Sequence, residues 1–259
     1  MKNLIKLLTV LIFSIILSLL IRSYLIEIVF SPTGSMEPTA YGYHIIDKDK
    51  THKNIINKLL NRILYSFREI DLKDTYKNNS ILGEFVNNLR LNNNLDLDSK
   101  IIISQGDHKM VNKFIYLFKS PNRGDIIIFS MINILSEAEL PQKTIDRFSK
   151  RIIGLPGDKI FIKDNMIYIK ENNKDEFIPI VKLDQKFKKL YSKGITYSAV
   201  GLLKNKQIIT VPENAYFVLG DNTSISYDSR YWGFVPRENI IGRAEYIVWP
   251  FSNRWGKLL

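Results

Sequence analysis

Residues 4–20 read LIKLLTVLIFSIILSLL, apolar almost throughout apart from Lys6, and the run continues through Ile21 to Arg22. Apolar residues resume after Arg22 as far as Phe30. About 20 apolar residues are what a helix needs to cross the hydrocarbon of a bilayer, so this stretch fixes the architecture before anything else does. Two readings fit it: a cleaved secretory leader, for which Lys2 and Lys6 would form the charged first region, and a retained anchor. The length of the run, the lack of a small-x-small exit and the Arg22-Ser23-Tyr24 that follows favour an anchor over 4–27. Lys2 and Lys6 on the short flank predict a cytoplasmic N-terminus of residues 1–3 and a domain of residues 28–259 on the other side. Arg22 is expected to snorkel to the far interface or to pair with Glu27.

Beyond residue 30 the pattern changes to short apolar runs punctuated by Gly and Pro, which predicts an antiparallel, mainly β domain. Strands are expected at Ile126 to Phe129, Ala215 to Leu219 and Tyr246 to Trp249. A hairpin is expected over 159–170, turning at Lys163-Asp164-Asn165. Residues 53–70 depart from this: Ile55, Ile56, Leu59, Leu60, Ile63, Leu64, Phe67 and Ile70 recur at helical spacing. The predicted amphipathic helix either packs on the domain or lies in the membrane interface. Two stretches look like insertions, a partly helical one at about 47–118 and a charged, irregular one at about 171–207.

The composition excludes whole classes of chemistry. With no cysteine there are no disulfides, zinc-thiolate sites or thiol nucleophiles, and three histidines without metal-ligand spacing make a metal centre unexpected. No cofactor motif occurs. A net charge of +11 is compatible with nucleic acid or an anionic membrane surface, but no dense Lys/Arg tract favours nucleic acid. A serine nucleophile needs a base and oxyanion donors, and with histidine scarce the base is most simply a lysine. Neither GxSxG nor SxxK occurs, so those serine-enzyme patterns are ruled out.

Four blocks remain after the apolar run: PTGSMEPT (32–39), RGDIIIF (123–129), KRIIGLPGDK (150–159) and GDNTSISYDSRYWGFVP (220–236). In this order they resemble bacterial signal peptidase I, a Ser/Lys serine protease family. The resemblance implies a mainly β catalytic domain behind an N-terminal transmembrane helix, a monomer at the outer face of the inner membrane, with signal peptides of exported preproteins and the lipid bilayer as partners. It carries the nucleophile to Ser35, the general base to Lys150 and the oxyanion-hole hydroxyl to Thr33, beside the N–H of Ser35. By the same resemblance Ser226 orients the lysine, Asp228 and Arg230 support the site, and Pro32, Met36, Ala40, Phe148 and Ser149 line substrate pockets. Lysine is a poor base at its ordinary pKa, so Lys150 is expected to sit among apolar walls, bonded to Ser35 and Ser226, without an acidic contact.

The chain departs from the family twice. The Gly-Asp pair that usually follows the first block is missing from Ala40-Tyr41-Gly42-Tyr43-His44. Thr223-Ser224-Ile225 replaces the usual charged and amide residues of the last block. Rival readings are a catalytically silent, membrane-tethered binding protein on the same fold, a basic anchored binder of nucleic acid or envelope polymer, and a self-cleaving Ser/Lys repressor-type protease, against which the membrane span argues.

Overall fold

The computed structural model describes residues 2–46, 59, 62–64, 66–75, 80–93, 100–134 and 147–258. Helix α1 (Lys2–Tyr24) holds the apolar run, buries none of its side chains, and is the one described helix long and apolar enough to cross a bilayer. Its 23 residues span roughly 35 Å at 1.5 Å per residue, enough for a hydrocarbon core of about 30 Å. The helix stops short of residue 27. Ile26 already belongs to strand β1 (Ile26–Phe30), because the carbonyl of Leu25 accepts from the N–H of Lys113 and draws the chain into a sheet. Arg22 does not pair with Glu27, whose carboxylate instead meets Lys113 at 3.4 Å and Arg147 at 3.3 Å.

The main sheet has the strand order β1, β5 (His108–Asn112), β14 (Ile240–Trp249), β6 (Ile126–Phe129), β7 (Phe148–Gly154), β12 (Ala215–Leu219) and β13 (Val235–Pro236), with β15 (Gly256–Lys257) added to β14. Every pairing is antiparallel. Strands β6 and β12 are buried on both faces, which explains their unbroken apolar sequences IIIF and AYFVL. A second sheet orders β10 (Ile178–Pro179), β9 (Met166–Lys170), β8 (Lys159–Lys163) and β11 (Ile209–Thr210). The β8–β9 hairpin turns where predicted, with Asp164 and Asn165 both at positive φ. A third sheet holds β2 (His44–Ile45), β4 (Lys100–Ser104) and β3 (Phe67–Asp71).

Several expectations change. The helical pattern predicted for 53–70 holds at Leu59 and residues 62–64, but Ser66 adopts φ 66° and the chain continues as β3, so Phe67 and Ile70 are strand residues. Residues 53–58, 60, 61 and 65 of that prediction lie outside the described residues. Leu59 and Ile63 are exposed, and the carbonyls of Ile63 and Leu64 accept from Trp249 Nε1 and the N–H of Phe251. The stretch 171–207 is not irregular. It carries helices Ile180–Leu183 and Gln185–Ser192, whose Ile180, Phe187 and Leu190 enter one core with Ile160, Ile167 and Phe217. Its charged residues hid the helical spacing of Phe187 and Leu190. Finally, β5 falls inside the expected 47–118 insertion yet lies between β1 and β14, and is integral to the main sheet.

Candidate active site

Strand β1 is an edge of the main sheet, and the chain leaves its end through Ser31 and Pro32 into a single 3-10 turn, Gly34–Met36. Met36 is 1% exposed and packs with Val29, Val111 and Ile128, so the turn is nailed to the core through the residue next to Ser35. The carbonyl of Ser35 accepts from the N–H of Asn222 at 3.0 Å. That bond joins the first sequence block to the last. At the crossing the backbones come so close that a Cβ on Gly220 would lie 2.4 Å from the Ser35 carbonyl oxygen and 2.2 Å from Ser226 Oγ. Only glycine fits there.

Lys150 stands on β7, where its backbone pairs with Ile127 of β6, and is 4% exposed. Its Nζ donates to Ser226 Oγ at 2.9 Å. Burial pushes its pKa down to about 8, against the partial upward pull of Asp228 and, more weakly, Asp221, while Arg230 pushes it further down. The drop from 10.5 corresponds to roughly 3 kcal/mol of destabilisation of the ammonium relative to the neutral amine. Among the described residues no carboxylate forms an ion pair with it. The expected bond to Ser35 is not present: Ser35 Oγ accepts instead from Thr33 Oγ1 at 3.4 Å. Hydrogen bonds at unliganded catalytic sites are often long and tighten only in the complex.

Behind the lysine lie two fully buried ion pairs. Asp228 and Arg230 meet at 2.8 Å, and the Asp228 carboxylate also accepts from the N–H of Gly220 at 3.1 Å. Arg230 donates to Thr223 Oγ1 at 2.9 Å and to the Thr223 carbonyl at 3.1 Å. Thr223, a departure from the family pattern, is thus a tether of the loop that carries Ser226. The second pair was not foreseen. Arg151 clamps Asp221 with bonds of 2.8 and 2.6 Å, and Thr39 Oγ1 also donates to Asp221. The adjacency of Lys150-Arg151 and of Gly220-Asp221 in their blocks was the available signal.

Ser35 and Lys150 line one cavity of about 220 Å³, together with the expected Pro32, Thr33, Met36, Phe148 and Ser149. Ala40 does not join them. It is 1% exposed and sits in the core with Val29, Val111 and Ile126, because its N–H closes a turn onto the Met36 carbonyl and rotates the side chain inward. The Gly-Asp pair missing after the first block is found in space. Gly106-Asp107 precedes β5, its backbone bonds to Tyr41 and Ser31, and a Cβ on Gly106 would lie 1.7 Å from the Ser31 carbonyl oxygen. About sixty residues intervene in sequence, which concealed it. Lys109, another cavity residue, was also overlooked: it is 1% exposed, and burial, with Lys150 nearby, lowers its pKa to about 7 against the pull of Asp107. Among the described residues no group of three His, Asp or Glu could hold a metal ion.

The model of the signal peptidase, peptidase S26, family matches residues 100–249. A probable signal peptidase I-2 from a Synechocystis species is 35% identical over 144 residues, 56% of this chain and 56% of that protein. The signal peptidase I of Rickettsia typhi is 38% identical over 166 residues, 55% of this chain and 60% of its own length. A crystal structure of a signal peptidase I from Enterococcus faecalis V583 overlaps 48% of this chain with 33% identity and a TM-score of 0.32. The chain therefore spans less than two thirds of the length of these two relatives. More than half of the sequence, including β4 through β14 and with them Lys150 and Ser226, falls within the family match, and the chain belongs to the signal peptidase, peptidase S26, family.

Proposed function

We propose that the protein is a membrane-anchored serine endopeptidase that removes signal peptides from exported preproteins, with Ser35 as nucleophile and Lys150 as general base. The observation that carries this reading is the Lys150 amine, buried with no carboxylate in contact among the described residues, held at about pKa 8 and bonded to Ser226 on the wall of the cavity that also holds Ser35. Family membership supports the substrate class. The short flank bearing Lys2 and Lys6 supports a cytoplasmic N-terminus, which puts the cavity on the outer side of the membrane, where an exported chain emerges. The domain is proposed to work as a monomer without a metal or cofactor.

In the proposed reaction an extended segment of the preprotein lies between Phe30–Pro32 and Arg147–Lys150, beside the open edge of β1. Neutral Lys150 takes the proton of Ser35 Oγ as the oxygen attacks the scissile carbonyl. The oxyanion is met by the backbone N–H of Ser35 and by the Thr33 hydroxyl. The C–N bond breaks as the Lys150 ammonium gives its proton to the departing amine, leaving an ester on Ser35. Lys150, neutral again, takes a proton from water, whose oxygen attacks the ester; the acid leaves and the Ser35 hydroxyl is restored. Asp228, Arg230, Arg151 and Asp221 hold the loop that presents Ser226 and do not touch the reacting atoms.

One observation favours the rival, a silent binding protein: Lys150 and Ser35 share no hydrogen bond. The test separates the two. Wild type, Ser35→Ala and Lys150→Ala are incorporated into membranes with a labelled preprotein; both variants are expected to lose at least about a thousandfold in cleavage rate. Cleavage at the wild-type rate by either variant contradicts the assignment, and no cleavage by wild type supports the silent protein.

A further inference from the structure

The proposed reaction gives no part to residues 171–207, although that stretch reaches the back of the catalytic loop. Tyr197 and Leu203 are fully buried in the core of the second sheet, and the N–H of Tyr197 bonds the Asn165 carbonyl at the turn of the β8–β9 hairpin. Between these two anchors the chain runs against the backbone of Arg230. Gly201 has φ 55°, and a Cβ there would lie 2.0 Å from the Arg230 carbonyl oxygen, so both conformation and space require glycine. Ser198 Oγ accepts from Arg230 Nη1 at 3.4 Å. Every other hydrogen bond of that guanidinium among the described residues stays within 223–230. Tyr197 adds a third sign. Its hydroxyl is buried without a hydrogen-bond partner, although a phenylalanine would fill the same core without burying an oxygen. Burial raises its pKa well above the usual value; of the charges it feels, Asp221 raises it further, Arg151 opposes, and Asp228 adds a smaller rise. These are the groups that hold the Ser226 loop.

We propose that Tyr197, Ser198 and Gly201 are positioning residues for the Ser35/Lys150 reaction: through them the second sheet braces the loop 220–230 from behind and fixes the direction of Ser226 Oγ toward Lys150. The inference rests on the endopeptidase reading given above. Gly201 sets how deep the Arg230 backbone sits, and Arg230 holds Asp228, whose carboxylate accepts from the Gly220 N–H. Gly220 lies in close contact with Ser226 Oγ, so a shift of Arg230 is passed on to the hydroxyl that receives the Lys150 donor. The Tyr197 hydroxyl belongs with the second pair, where its dipole acts on Asp221 and Arg151 in a low-dielectric surrounding. Asn222, next to Asp221, bonds the Ser35 carbonyl, so this pair also bears on the nucleophile's turn. Neither Tyr197 nor Gly201 lines the cavity beside Ser35. A change at either therefore acts on the rate and not on substrate binding.

The test uses the full-length protein in detergent with a labelled preprotein, and follows kcat, KM and the titration of the Lys150 amine in protein carrying 15N-labelled lysine. Tyr197→Phe is expected to lower kcat about fivefold and Gly201→Ala at least about tenfold, both with KM changed less than about twofold. Ser198→Ala is expected to lose about threefold, and Ser198→Thr, which keeps the hydroxyl, to recover it. The control is Tyr191→Phe, whose ring lies 6.0 Å from that of Tyr197 but whose hydroxyl accepts from the Ile167 N–H at 3.2 Å, within the second sheet. That variant is expected to lower stability and leave kcat unchanged. The Lys150 amine faces Asp228, Arg230 and Asp221, and Lys109 as well; it is expected to titrate above its wild-type value of about 8 in Gly201→Ala and Tyr197→Phe, because a loosened loop admits water to it. Unchanged kcat in both variants overturns the inference, and so does a loss in Tyr191→Phe equal to that in Tyr197→Phe. If Gly201→Ala does not fold, Tyr197→Phe and the Ser198 pair still decide. Failure of wild type to cut, or equal cutting by Ser35→Ala, breaks the endopeptidase reading; the amine titration then judges the brace by itself, and an amine unmoved in the variants rejects it.

Discussion

Lys150 and Lys109 are two buried amines on the wall of one cavity, each bonded to a single serine hydroxyl, and they differ in what stands behind that serine. Ser226, the partner of Lys150, sits on a loop locked by the Asp228–Arg230 pair and, through Gly220-Asp221, by Arg151. Ser31, the partner of Lys109, ends an edge strand and is held by one backbone bond from its N–H to the Asp107 carbonyl. Burial lowers both amines to a similar degree. Desolvation therefore makes a neutral amine but does not by itself make a base. The network around Ser226 supplies the fixed direction that proton transfer needs, and the sparser surroundings of Lys109 do not.

The comparison breaks most visibly if the network is cut. Arg151→Met leaves the Asp221 carboxylate buried without its cation, an expected loss of about 3–5 kcal/mol in urea unfolding. If stability is unchanged, the network is not what fixes the loop. The sharper test is the pair Lys150→Met and Lys109→Met. A lysine whose folded pKa lies below its unfolded value opposes folding most strongly below the folded pKa, and this opposition fades as pH rises towards the unfolded value. Lys150→Met is therefore expected to stabilise the fold by up to about 3 kcal/mol at pH 7, with the gap to wild type narrowing between about pH 8 and 10.5. For Lys109→Met the narrowing begins near pH 7. Unfolding curves at pH 7 and pH 10 check both. A gap independent of pH contradicts the burial account. The smallest effect belongs to the hydroxyl: Ser226→Ala is expected to lower kcat by about ten- to a hundredfold with little change in KM, and Ser226→Thr to restore much of it. A rise in KM instead would give Ser226 a role in binding.

The parts of this molecule legible in sequence are those whose residues are neighbours along the chain. The turn around Ser35, the buried β6 and the 220–236 loop each lie within one contiguous block, and the apolar run that became α1 needs only composition. Pairings across distance were not legible. Gly106-Asp107 belongs beside Tyr41, but the intervening third sheet and the helix Ile81–Asn93 separate them in sequence. The pairing of Arg151 with Asp221 joins two blocks 70 residues apart, and neither block alone shows that the other lies opposite. Ala40 looked available because its burial depends on a turn closed through Met36. Lys109 is the clearest case: amid short strand residues of mixed polarity, a lysine gives no sign that it will be buried between two neighbouring strands.

The central claim is that Lys150 is neutral enough at working pH to take a proton from Ser35. The direct measurement is an NMR pH titration of the side-chain amines in protein carrying 15N-labelled lysine, with Lys150→Met and Lys109→Met used to assign the two buried groups. An amine titrating near pH 8 that is missing from Lys150→Met, beside one near pH 7 that is missing from Lys109→Met, is the predicted result. A Lys150 amine that titrates at the ordinary lysine value above pH 10 would contradict the account.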